Sequence, residues 1–154
     1  MGSEMCIRDR VADSARVADS ARVHSNAQAG GNARVEGNAW VSGNARVNGN
    51  ARIRDEVLIS DSALISGDAQ VSGSAQVWGK ARVFDDAQVA DTAQIKGGAR
   101  VYGNAQVGDE AWVYGDAQVE GNARVYGNAR VGGSALVRGE AQIAKGTHIT
   151  GTIE

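Results

Sequence analysis

The stretch VEGNARVYGNARV, residues 119–131, contains the unit from which nearly the whole chain is built. Val119, Val125 and Val131 recur every six residues, and Ala123 and Ala129 each follow a valine by four. In Ala123-Arg124-Val125-Tyr126, alternation of period two sends Ala and Val to one side and Arg and Tyr to the other, which is a strand signal. Gly127-Asn128 then supplies residue types that tolerate left-handed backbone angles or hydrogen-bond their own main chain, so the pair marks a corner. The unit is therefore expected to be a four-residue strand followed by a two-residue corner.

Stepping by six from Val11 reaches Val17, Val23, Ala29, Val35 and onward to Ile143 and Ile149; every position is Val or Ile except Ala29. The alanine register runs from Ala15 to Ala141, broken by Val57 and continued by Thr147 and Ile153, with no insertion shifting the phase. Strand and corner repeated without a helix or hairpin signal cannot close as an antiparallel sheet. The chain must coil and stack on its own copies, each coil pairing in parallel with the next at roughly 4.8 Å.

This hexad resembles the motif of the hexapeptide-repeat superfamily, an aliphatic residue followed four places later by a small one. The resemblance covers about residues 11–153. It implies an all-β, single-stranded, three-sided left-handed parallel β-helix with three hexads per coil. Residues 18 apart then stack, and about eight coils give a rod roughly 38 Å long. Stability should come from nearest-neighbour stacking of the aliphatic column.

Composition agrees with a narrow, uniform core: the chain has 21 Gly, no Pro and one Phe in 154 residues. The formal charge of -2 leaves no basic excess for a nucleic-acid partner. No run of 18 apolar residues is present to span a membrane. Cys6 is the single cysteine, so no disulfide framework exists within the chain. Residues 1–10 carry no signal-peptide pattern. Met1-Gly2-Ser3 reads as an added leader, and Glu4–Arg10 (EMCIRDR) resembles a translated transposon-adapter end. Residues 1–10 are accordingly expected to stand outside the fold, with the native N-terminus upstream, and 11–154 to form the solenoid.

Outward positions form three ladders. One runs Arg16, Arg34, Arg52, Gln70, Gln88, Gln106, Arg124, Gln142; the second includes Arg22, Trp40, Leu58, Trp112, Arg130 and His148; the third includes Arg46, Leu64, Arg82 and Arg100. Long stems covering a solvated sheet are the plain reading, with glutamine amides able to bond along a column. The aromatics add a second hypothesis. Trp78, Lys96 and Tyr114 should stack on one face with Trp40 and Trp112 beside them, while Phe84 and Tyr102 occupy adjacent rungs of a neighbouring face. This grouping favours a subunit interface ahead of a carbohydrate platform, and Lys96 can make a cation–π contact. Asp91 and Asp109, with Glu110 alongside, are close like charges of the kind that invites calcium, but a solvated corner is the preferred reading and no metal or cofactor is assigned.

The superfamily includes acyltransferases that use a histidine as general base, often beside a loop leaving the helix. Here His24 and His148 lie near opposite ends, no loop interrupts the hexads, and no orienting carboxylate is evident. Two histidines cannot supply the three ligands of the superfamily's zinc carbonic anhydrases. Four threonines without a ladder exclude an ice-binding face. No catalytic residue is assigned. The remaining expectation is a scaffold resembling the noncatalytic hexapeptide proteins of bacteria and their phages, associating with its own copies through ends or faces. An acyltransferase-like enzyme and a carbohydrate-binding module are the alternatives.

Overall fold

The computed structural model describes residues 11–154, so the expectations for Cys6 and the leader lie outside the described residues. Strands β1 (Arg16–Val17), β2 (Arg22–Val23) and β3 (Gln28–Ala29) begin a series that repeats every six residues to β23 (His148–Ile149) and closes with β24 (Thr152–Ile153). Every third strand pairs with the next in parallel, giving three eight-stranded sheets that start with β1, β2 and β3. The register is 18 residues, as in Arg16↔Arg34 and Val77↔Ile95. Among the described residues there is no helix. This is the all-β, three-sided parallel β-helix of eight turns that the hexads imply.

The regular strands are two residues long rather than four. At many corners the alanine that would open the strand closes the preceding corner instead, as Ala15 N–H donates to Ala12 O at 3.2 Å. The chain side by side with its copies still bonds beyond the strands, for example Gly30 N–H to Val47 O at 2.9 Å.

Inside, the two registers form an unbroken apolar column. Val35, Ala39, Val41, Ala45 and their successors as far as Val137 are fully buried, and among the described residues no polar or charged residue is buried with them. Val57, the large residue in the alanine register, is also fully buried. It is accommodated because the residues 18 away on either side, Ala39 and Ala75, are small. Ile153 departs further from expectation. It stacks on Val137 at an offset of 16, so it lies in the aliphatic register and not in the alanine one. The phase shift comes from the last bend, where Gly151 takes the chain directly from β23 into β24; at the preceding corner the left-handed residue moves to the second position, Gly146, yet β23 keeps the 18-residue register.

Corners repeat one conformation. Their first residue has positive φ, supplied by glycine at many positions and by Asp13, Asp19, Asp55, Asp61, Asp85, Asp91, Asp109 or Ser25 elsewhere. Away from Gly146, the second residue lies outside that region. Each aspartate serves the coil above: Gly37 N–H donates to Asp19 Oδ2 and Gly79 N–H to Asp61 Oδ2, both at 3.0 Å. Short amides form further ladders, Asn32 to Asn50 to Asp68 and Asn104 to Asn122. The glutamine columns expected to bond along the sheets make no such mutual contacts. A corner Asn is held by its turn one rung from its neighbour, whereas an exposed Gln has a longer stem to immobilise.

Two glycines separate backbone strain from crowding. A Cβ on Gly37 (φ +72°) would lie 2.7 Å from Asp55 N, whereas a Cβ on Gly133 (φ +62°) would meet nothing within 4 Å. Gly133→Ala should cost about 1–2 kcal/mol from left-handed strain alone. Gly37→Ala should cost at least ~1 kcal/mol more, because the coil above must shift. Chemical denaturation of the two variants checks the difference.

Candidate interaction site

The second sheet gathers the features that the sequence singles out. Its outward face carries all three tryptophans, Trp40, Trp78 and Trp112, together with Tyr114, Leu58, Arg22, Lys96, Arg130 and both histidines, and no acid. Lys96 is the centre of this surface. Its Nζ lies 4.5 Å from the Trp112 ring centroid, 5.5 Å from Trp78 and 6.0 Å from Tyr114. Arg130 covers Trp112 from the next coil at 5.0 Å, and Arg22 covers Trp40 at 5.7 Å. Cations therefore occupy the ring faces, held there by the negative quadrupole of each ring. That arrangement weakens the carbohydrate-platform reading of these tryptophans, since sugar stacking needs an open face.

Tyr114 lies flat across Gly132. A Cβ on Gly132 would come within 2.2 Å of the tyrosine ring, and Gly132 is buried beneath it. The ring thus reaches across one coil to the next, where its Oη is 2.8 Å from His148 Nε2. The sequence signal for this was a glycine 18 residues after a tyrosine, which side-chain spacing alone did not single out. His24, at the other end of the face, contacts Trp40 edge-on at 5.1 Å and Ser25 Oγ at 3.1 Å through Nδ1. Its Nε2 is shielded and unpartnered. Seven rungs separate the histidines, roughly 34 Å. Among the described residues neither meets a carboxylate.

Phe84 and Tyr102 are on the third sheet, stacked at 4.9 Å with rings 3° from parallel. They form a separate patch from the tryptophans. Tyr102 Oη donates a short hydrogen bond to Glu120 and lies 3.3 Å from Gln118 Oε1. Desolvation first, then the Glu120 hydrogen bond and charge, push the Tyr102 phenol up to about 12. Among the corner acids, Asp109 N–H donates to Asp91 Oδ2 and Gly127 N–H to Asp109 Oδ2. The pair is explained by capping of successive corners, and among the described residues no group of three His, Cys, Asp or Glu side chains is placed to hold a metal.

A shallow groove that the sequence reading missed lies on the first sheet. Outward residues Ala90 and Gly108 are too small to cover the strand, leaving a depression of about 390 Å³ beside Gln88, Gln106 and Arg124, with Tyr126 closing one end. A second depression on the other side shares Gln106, Arg124 and Gln142. The legible signal was a break in the outward column, where Ala90 and Gly108 precede Tyr126.

These features define a three-sided parallel β-solenoid built on a six-residue repeat, and a solved structure is similar to it in fold. UDP-N-acetylglucosamine acyltransferase of Francisella novicida superposes with a TM-score of 0.63 at 16% identity, over 89% of this chain and 66% of that one. The corresponding Campylobacter jejuni acyltransferase matches at 14% identity over 87% of this chain and 64% of that one, with a TM-score of 0.39. This chain thus spans just under two thirds of the length of either enzyme. More particularly, residues 27–43, 39–55 and 123–139 match the YdcK beta-solenoid repeat. No curated protein matches the sequence.

Tyr102 gives this patch a pH signature. Because its folded pKa is raised above the ordinary tyrosine value of 10.0, its protonated form stabilises the fold below pH 10, and that contribution is lost as pH rises through about 12. Ultraviolet titration should show a tyrosine ionising near pH 12 that is absent in Tyr102→Phe. A wild-type titration without that late step overturns the assignment.

Proposed function

We propose that this chain is a noncatalytic scaffold that associates with its own copies, through its faces or ends, with the second sheet as the principal contact. The observation that carries this reading is the acid-free concentration of all three tryptophans and three cations on one face of a loop-free rod. Aromatic and arginine side chains are typical anchors of protein interfaces. Two such faces brought together would leave Arg22, Lys96 and Arg130 without counter-charges. A corner ridge of another copy, such as the one with Asp68, Asp85 and Asp86 between the third and first sheets, offers them, and it repeats at the same rung spacing. A face-to-ridge contact is heterologous, so it propagates into rings or open arrays.

Sedimentation velocity over a wide concentration range tests the proposal. Wild type should associate, more weakly at high salt because exposed charges are screened. Trp112→Ala should weaken association by about 2 kcal/mol if this ring anchors the contact. A strict monomer at all concentrations sinks the reading.

The fold likeness to the Francisella enzyme is what supports the acyltransferase alternative. Against it stand the separated histidines and the absence of any loop among the described residues that could enclose an acyl acceptor. Coenzyme A titration discriminates. A scaffold should not bind coenzyme A, whereas an acyltransferase should bind it and lose activity on His24→Ala or His148→Ala.

A further inference from the structure

The geometry points to a binding site for an extended neutral oligosaccharide in the groove of the first sheet, on a different face from the proposed self-association surface. Four features carry it. The first is an aromatic surface left open: Tyr126 is 38% exposed and has no cation or ring stacked on it among the described residues, whereas Trp40, at 43%, has the Arg22 guanidinium 5.7 Å from its ring centroid. It stands at the end of the floor formed by Ala90 and Gly108, where the CH face of a pyranose can pack against it.

The second is the chemistry of the walls. Gln88 and Gln106 present amides that both donate and accept, Arg124 donates, and Asp91 and Asp109 accept. Each of those carboxylates spends Oδ2 on a corner N–H, leaving Oδ1 without a partner among the described residues. Sugar hydroxyls, which donate and accept at once, match such a mixed set. A lipid would find little apolar floor.

The third is charge. One guanidinium faces two carboxylates on the groove's rim, so a polyanion meets no net attraction. The fourth is repeat length. The Gln88–Gln106–Arg124–Gln142 ladder crosses three rung intervals, roughly 14 Å, and offers a polar side chain at every rung. A linear glycan lying along the rod meets the same array at each step. A peptide would need a sheet edge for main-chain pairing, and this face presents none.

Ligand-observed nuclear magnetic resonance with cellohexaose and xylohexaose as neutral probes, and hexagalacturonate as the anionic control, tests the site on the full chain. At least one neutral hexasaccharide should bind at millimolar concentration. Tyr126→Ala should weaken it by about tenfold or more, whereas Tyr126→Phe should retain it. Gly108→Gln should abolish binding by filling the floor; a Cβ there would meet Asp91 Oδ2 at 3.2 Å, a contact one carboxylate can yield. Thermal melting confirms that these variants keep the solenoid, and the outward Tyr126 substitutions carry the test if Gly108→Gln does not fold. Trp112→Ala, on the second sheet, should leave glycan binding unchanged while weakening self-association. Binding of neither neutral probe, binding of hexagalacturonate alone, or undiminished binding in Tyr126→Ala overturns the site.

Discussion

Everything in this molecule depends on each inward residue resting on its own copy one coil away. The stack has only a rung spacing of roughly 4.8 Å in which to work, so side chains along a column must have nearly the same shape. Valine and isoleucine satisfy that on the strands, and alanine satisfies it beside the corners, where the three walls converge. The outcome, among the described residues, is a core with no buried polar or charged residue. Such a core has no long-range closure, so its stability accumulates between neighbours. Tolerance is likewise local: Val57 fits because Ala39 and Ala75 flank it, and a run of valines in that register would leave no such room.

Corners solve the complementary problem of polar backbone. A two-residue turn leaves its first N–H pointing along the axis, toward the coil below. Where that coil has Asp at its first corner position, the carboxylate accepts this bond, and one residue meets both the left-handed conformation and the amide. Where it has glycine, the conformation is easy but no acceptor is supplied. The choice between Gly and Asp therefore trades ease of turning against an additional inter-coil bond. It also places acids on the ridges while arginines, whose stems cover the strands, occupy the faces. The resulting alternation of cationic faces and acidic ridges follows from backbone requirements, and it is the complementarity on which the proposed self-association rests.

The period, the inward and outward sorting and the pairing partners were legible because they depend on residue class alone. A Val every six residues states its own stacking partner. Features that depend on side-chain direction were less legible. Lys96 was readable as a neighbour of Trp78 and Tyr114, but not the capping of both faces of Trp112 by Lys96 and Arg130. Tyr114 could be placed on the second sheet, yet its path across Gly132 to His148 requires its rotamer. The two-residue strands and the register of Ile153 were missed for another reason. Hydrogen bonding claims the alanine for the turn at many corners, and Gly151 shortens the last bend without announcing it in the pattern of the repeat.

A perfectly regular solenoid would have no site, because every rung would present the same surface as the next. Specific chemistry must come from departures that the core does not feel. The outward column Ala90, Gly108, Tyr126, Ala144 is such a departure, since its inward neighbours Val89, Val107, Val125 and Ile143 keep the stack intact. The aromatic face is another: Trp40, Trp78 and Trp112 fall on alternate coils, with a cation on a coil adjacent to each. Inward uniformity fixes position to within a rung, and outward variation decides what is displayed there. On this scaffold, stability and recognition are thus written in alternate residues of the same strand. That separation lets a surface change without the fold resisting, and it directs the search for function to the rungs where the outward pattern breaks.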